Sequence, residues 1–214
     1  LPKIALFFLD MVVFLFSLSL HEAAHAWMAE RFGDPTGRHL GRITLNPIPH
    51  IDIFGTLIFP AIGYFTGGLM FGWAKPVPWD PRNVKDRRQA DIWISAAGPI
   101  SNILACLGFI LLTSLFRLYH NADATFLGTA VVPLYLMCML GVQLNVILAV
   151  FNLLPIPPLD GSWILPHFLP SALASGYEKL RPYGFMILML LMMTGVFRVV
   201  LFPFLAVVDA LIKL

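Results

Sequence analysis

Residues 4–29 read IALFFLDMVVFLFSLSLHEAAHAWMA. Apart from Asp10, Ser17 and Ser19 the run is apolar until it meets His21, Glu22 and His25. It exceeds the roughly 20 residues that a helix needs to cross about 30 Å of hydrocarbon. Spacing of i, i+4 stacks His21 and His25 on one helix face, where both imidazoles reach one divalent metal. Glu22, beside them, can take a proton from an attacking water. In an apolar helix three such side chains are costly and demand a partner. Without a metal they read as helix-end polar residues at the membrane interface, since Glu30 and Arg31 follow.

The rest of the chain sets the same cost. Of 214 residues, 58% are hydrophobic and only 12% are Asp, Glu, Lys or Arg, about half the roughly 25% charged residues of a soluble domain. A single globule cannot bury that much apolar surface. Soluble, disordered and nucleic-acid-binding classes are thereby excluded, and a net charge of +2 implies no anionic partner. Cys106 and Cys138 sit in apolar runs and read as small buried hydrophobes rather than a disulfide framework. Lys3 and the run after it resemble a cleavable signal, but the run is too long and leads into the histidine motif.

Three further stretches are long enough to span: residues 91–116, 131–154 and 183–201, the last with Pro203 as a kink or stop. Residues 204–214 are expected along the interface. A fifth apolar stretch, 51–71, contains Gly55, Pro60, Gly63, Gly67 and Gly68. Irregular backbone at membrane depth must pack on protein or line a wet cavity, so this stretch reads as re-entrant and partly extended. The expected fold is an all-α polytopic membrane protein forming one membrane-embedded domain over residues 1–214. It has about four transmembrane helices (4–29, 91–116, 131–154, 183–201) and a re-entrant segment between the first and second. Ten of the fourteen basic residues fall in the loops 30–90 and 155–182, which puts that side in the cytoplasm.

A catalytic zinc keeps three protein ligands and an open position. Asp10 lies eleven residues before His21, about 16 Å along the helix, and cannot reach. Glu30 points to another face, and Asp34 in Gly33-Asp34-Pro35 suits a turn or cap. His39, His50, His120 and His167 read as loop or interfacial histidines. The strongest candidate for the third ligand is Asp160, in Asn152-Leu153-Leu154-Pro155-Ile156-Pro157-Pro158-Leu159-Asp160-Gly161. There three prolines break a helix and free backbone for a polar pocket; the plain alternative is an Asp-Gly turn at the surface. For Asp160 to share a side with His21 and His25, the chain between them must cross an even number of times. Residues 51–71 must then enter and return.

His21-Glu22-Ala23-Ala24-His25 on a first membrane helix, together with the 152–161 motif, resembles the site-2 protease family of intramembrane zinc metalloproteases. The second motif matches the family pattern NxxPxPxLDG at each defining position. Gly72-Trp73-Ala74-Lys75-Pro76-Val77-Pro78 and Ala97-Gly98-Pro99-Ile100-Ser101-Asn102 are similar to further signatures of its compact prokaryotic members. The resemblance implies that His21, His25 and Asp160 bind one Zn2+, that Glu22 is the general base, and that Asn152 helps hold the substrate or the oxyanion. It further implies that the region between the first two helices takes up substrate as an added strand. The implied partners are a transmembrane protein or peptide substrate and the lipid bilayer, with no nucleic acid. The implied place is a cell membrane, with the site towards the cytoplasm. Only residues 117–130 join the second and third helices, so there is no inserted recognition domain there. Asn102 and Asn145 read as hydrogen-bonding residues between helices. A metal-ion transporter and a non-catalytic client-binding relative are the alternatives. The first lacks polar residues through the membrane depth, and the second is at odds with an intact Glu22.

Overall fold

The computed structural model describes residues 2–67, 71–120 and 128–213. Helix α1, Lys3–Arg31, carries the whole opening stretch without a break and ends at Gly33, whose φ of 107° suits glycine. A single turn, α2 (Thr36–His39), and then a short helix, α3 (Phe59–Thr66), precede the second long helix, α4 (Arg87–His120). The third long helix is α5, Gly128–Asn152. Helices α1, α4 and α5 pack mutually and form the body of the molecule. Small residues set how closely they approach: a Cβ added at Gly141 would come within 2.7 Å of the Phe109 ring. At the centre of this body Ser17, Asn102 and Asn145 are wholly buried and bonded to one another. Asn102 Nδ2 donates to Asn145 Oδ1 (2.8 Å), and Asn145 Nδ2 donates to Ser17 Oγ (2.9 Å).

Three helices are long and apolar enough to cross a membrane: Lys3–Arg31, Arg87–Arg117 and Val132–Asn152. The fourth expected span differs from its sequence reading. After two short helices, α6 (Gly161–Ile164) and α7 (Ser171–Glu178), residues 183–201 do not form one rod. Helix α8 (Gly184–Thr194) stops at Gly195, and α9 (Val196–Lys213) leaves at a bend of 72°. The break falls at Gly195, with φ of 74°, where only glycine is unstrained. Pro203 sits inside α9 instead of ending it. Packing outweighs the local cost of about 3 kcal/mol for an interior proline, since Val208 and Ile212 are buried against Cys106 and Val142. Residues 204–213 are therefore helical and packed on α4 and α5; Leu214 lies outside the described residues, as does the linker 121–127.

The stretch 51–71 is also more helical than its composition suggests. A π-helical turn at Ile53–Ile58 runs directly into α3, and the extended backbone comes afterwards, over residues 71–80. The end of α3 sits beside the start of α1: the Tyr64 hydroxyl donates to Lys3 O (3.2 Å), and the Phe7 and Tyr64 rings lie 5.1 Å apart. The chain then returns. Trp73 N–H donates to Gly55 O (3.1 Å) and Lys75 N–H to His50 O (2.9 Å), so residues 50 and 75 meet. Residues 68–70 lie outside the described residues.

Candidate metal centre

His21 and His25 point from α1 towards α4, and Gly98 on α4 makes room for them. A Cβ at that position would stand 2.6 Å from His21 Nε2. Each imidazole is fixed through Nδ1. Asn102 Oδ1 accepts from His21 Nδ1 at 2.6 Å, and the Ile94 carbonyl accepts from His25 Nδ1 at 2.6 Å. A carbonyl can only accept, so His25 carries its proton on Nδ1. Asn102 uses its amide nitrogen on Asn145 and on Ser17 O, which leaves its oxygen to His21 and sets the same tautomer there. Both Nε2 atoms thus present lone pairs.

Asp160 faces those lone pairs. It arrives where the chain after α5 turns tightly back on itself, with Leu159 N–H donating to Ile156 O (2.9 Å) and Ser162 N–H to Leu159 O (3.0 Å). Gly161 is required at this turn, because a Cβ there would lie 2.7 Å from Leu154 O. The carboxylate Oδ2 is 3.1 Å from His21 Nε2, and Oδ1 is 3.5 Å from His25 Nε2. Asp160 Oδ2 is buried and has no hydrogen-bond donor. Ligand atoms of the three residues lie within 4.8 Å of one another, and their side chains are 5%, 12% and 19% exposed. Three acceptors converging without a donor repel one another unless a cation stands among them. Two imidazole nitrogens, each tied through the other nitrogen to an oxygen, plus one carboxylate make a donor set that fits zinc. Among the described residues this is the sole group of three or more His, Cys, Asp or Glu side chains close enough to hold a metal.

Glu22 stands beside the three, its Oε2 accepting from Val77 N–H at 3.1 Å. It lines an apolar cleft of about 530 Å³ together with His21, Asp160, Asn152 and the side chains of Phe71, Trp73, Phe151 and Leu188. Asn152 Nδ2 donates to Leu148 O one turn back (3.0 Å), which leaves its oxygen and second N–H for the cleft. The backbone groups of Trp73 and Lys75 turn away from the cleft, although the Phe71 and Trp73 side chains line it. Trp73 and Lys75 bond through both N–H and C=O, to Gly55, His50, the Thr56 hydroxyl and the Arg42 guanidinium. Gly72, Ala74 and Pro76 line the cleft, and no bond ties the N–H of Gly72 or Ala74 among the described residues.

The other polar residues considered from sequence stand apart. Glu30 pairs with Arg38. Asp34 is buried and accepts from Thr36, Asn83 Nδ2 (2.7 Å) and Asp80 N–H (2.8 Å). Burial raises its pKa, but these hydrogen bonds outweigh burial and hold the carboxyl below its ordinary value. His50 Nε2 donates to Thr44 O (3.0 Å), and burial pushes its pKa down. His167 meets Asp91 at 3.2 Å. The His120 side chain lies outside the described residues. Sequence reasoning assigned Asn102 to helix packing and missed that it also aims His21. The signal available was its i+4 spacing from Gly98, which puts the residue that admits the histidine and the residue that holds it on one face.

A family model for peptidase family M50 matches residues 112–195, which include Asn152 and Asp160. A Bacillus subtilis (strain 168) protein named "Putative zinc metalloprotease YwhC" is 39% identical over 205 residues, covering 95% of this chain and 89% of its own. A Mycolicibacterium smegmatis (strain ATCC 700084 / mc(2)155) protein named "Putative zinc metalloprotease Rip2" is 33% identical over 195 residues, covering 91% and 70%. No solved structure matches.

Proposed function

The chain belongs to peptidase family M50, the site-2 protease family, and from that premise we propose that it is an intramembrane zinc endopeptidase cutting transmembrane segments of other membrane proteins. The observation that carries this is the convergence of His21 Nε2, His25 Nε2 and Asp160 with no donor among them. Zinc held there would supply Lewis acidity, lowering the pKa of a water towards 7 and polarising the scissile carbonyl. Glu22 takes the proton of the attacking water and returns it to the leaving amine. The N–H donated by Val77 keeps that carboxylate aimed. Asn152 offers an amide N–H to the oxyanion.

A helical substrate hides its own carbonyls, so the segment to be cut must first be extended. The unpaired edge at Gly72 and Ala74 is open to pairing with it as a further strand. On this reading the hairpin from His50 to Lys75 re-enters the membrane, the bent α8–α9 pair supplies the fourth span, and the metal centre lies near the cytoplasmic face. The basic loops support that orientation.

The purified protein should cleave a single-span membrane peptide. Glu22→Gln should abolish turnover, by at least about 100-fold, while one bound zinc remains. Asp160→Ala should lose both zinc and activity. Full activity in Glu22→Gln removes the proposed base, and stoichiometric zinc in Asp160→Ala removes the proposed ligand.

A further inference from the structure

Three cavities follow one another through the molecule. The apolar cleft shares Glu22, Pro76, Pro158 and Asp160 with a second cavity of about 250 Å³. That one shares Asp91 and Trp163 with a third of about 410 Å³. The extended segment runs beside the first two, with Gly72 and Ala74 on the cleft, Pro76 on both, and Val77 and Trp79 on the second. A chain paired along its edge is led from apolar walls, past Glu22 and Asp160, towards the third cavity.

The third cavity is basic. Arg87, Arg88, Arg181 and His167 line it against two carboxylates, Asp91 and Glu178. Glu178 is paired to Arg181. Asp91 is divided between His167 Nε2 at 3.2 Å and Arg87 at 3.8 Å. The Arg181 guanidinium lies over the Trp163 ring at 3.6 Å, which holds it at the mouth. Arg88 donates to the His167 carbonyl oxygen (2.8 Å) and has no carboxylate partner among the described residues. Three guanidinium groups against two carboxylates leave an unbalanced positive field at the end of the path.

We infer that this cavity receives an acidic stretch of the substrate, with Asp or Glu a few residues beyond the scissile bond on the flank that leaves the membrane. This rests on the endopeptidase reading and names the substrate class of that site. Membrane proteins usually carry Lys and Arg at their cytoplasmic flanks, and the arginines repel those. Selection then works by excluding the common flank as much as by attracting the rare one. Charge at such a rim acts on encounter and register rather than on the chemical step.

The test uses the full chain in nanodiscs of phosphatidylcholine and one apolar spanning peptide with acidic, neutral or basic flanks. The acidic flank should exceed the basic one in kcat/KM by about tenfold at low salt. The ratio should fall towards unity at about 0.5 M salt, where screening is short-ranged. Arg88→Glu should invert the ratio. Arg87→Glu, on a side chain 70% exposed, should shift it the same way and covers the case in which Arg88→Glu fails to fold. Equal cleavage of all three flanks overturns the inference and leaves the endopeptidase reading standing; cleavage of none overturns both. Equal cleavage together with stimulation by phosphatidylglycerol, lost in Arg88→Glu, would assign the cavity to a lipid headgroup instead.

Discussion

On the α1, α4 and α5 side of the cleft, every group that aims a proposed ligand is itself hydrogen-bonded. His21 leans on Asn102, Asn102 on Asn145, and Asn145 on Ser17, three buried residues from three helices. On the opposite side, where α8 meets the side chains of Phe71 and Trp73, the cleft is walled by ring and methionine contacts. Trp73 faces Phe185 with centroids 6.4 Å apart, and Met189 and Met192 pack around Leu188 and Phe197. That wall ends at the Gly195 bend. Hydrogen bonds fix a donor to a few tenths of an ångström and in direction, whereas thioether and aromatic contacts survive repacking. The division suits a peptidase of membrane segments: chemistry needs fixed atoms, and a cleft that takes varied apolar sequences needs an adaptable wall.

The largest effect should come from breaking the rigid side without touching a ligand. Asn102→Ala removes the acceptor of His21 Nδ1 and strands Asn145 Oδ1 in the core. Zinc affinity should fall about 10- to 100-fold, the range for loss of such a partner, and stability by about 1–3 kcal/mol. Asn102→Asp keeps an acceptor for His21 and should restore much of the affinity while stability stays low, because Asn145 still lacks its donor. Zinc titration beside thermal unfolding reads the two separately. Equal zinc affinity in wild type and Asn102→Ala would show that the histidine is positioned by α1 alone.

How much of this was legible in the sequence follows the same division. The i, i+4 histidines lie on one continuous helix, so local periodicity alone placed them together, and hydropathy located the three long helices to within a few residues. Asp160 came from a second motif and from the requirement for a third ligand. The bond from Asn102 to His21 joins residues 81 apart, and no local pattern encodes a partner on another helix. The adaptable wall was read least well. Across 183–201 the one charge, Arg198, lies past Gly195 and hydropathy does not mark the bend there, while Pro203 drew attention to a break that packing of Val208 and Ile212 overrides. In 51–71 the glycines and proline suggested extended chain, yet Gly55 sits within the π-helical turn and Pro60 and Gly63 within α3. The extension fell just beyond, where Pro76 and Pro78 exclude a helix.

A smaller effect is expected from the adaptable wall. The Trp73 indole lies over Gly55, where a Cβ would come within 2.5 Å of Nε1, and it bounds the cleft next to Phe185. Trp73→Ala should leave zinc content unchanged and shift preference towards bulkier substrate side chains. The ratio of kcat/KM for Phe over Ala near the scissile bond should rise about tenfold. Loss of zinc in this variant would mean that the two sides are mechanically one unit.

The smallest effect concerns the tie between the two sides, Asp34, just beyond the end of α1. Its carboxylate gathers Thr36, Asn83 and the Asp80 N–H, so it fastens the far end of the extended segment to the helix that carries His21 and His25. Its pKa is lower folded than unfolded, so the unfolded chain binds the proton more readily. The stabilisation is then present above the ordinary carboxylate pKa of about 3.9 and drains away as pH falls through the lower folded value. Asp34→Asn keeps one acceptor oxygen without the charge and should cost about 1 kcal/mol at neutral pH. Its unfolding curve should approach that of wild type as pH drops below about 4, because the wild-type carboxylate is then protonated in the unfolded chain and gradually in the folded one. A gap between the two proteins that stays constant from pH 7 to the acid limit would show that Asp34 acts through shape alone. A gap that closes ties the position of the strand edge to a single ionised group.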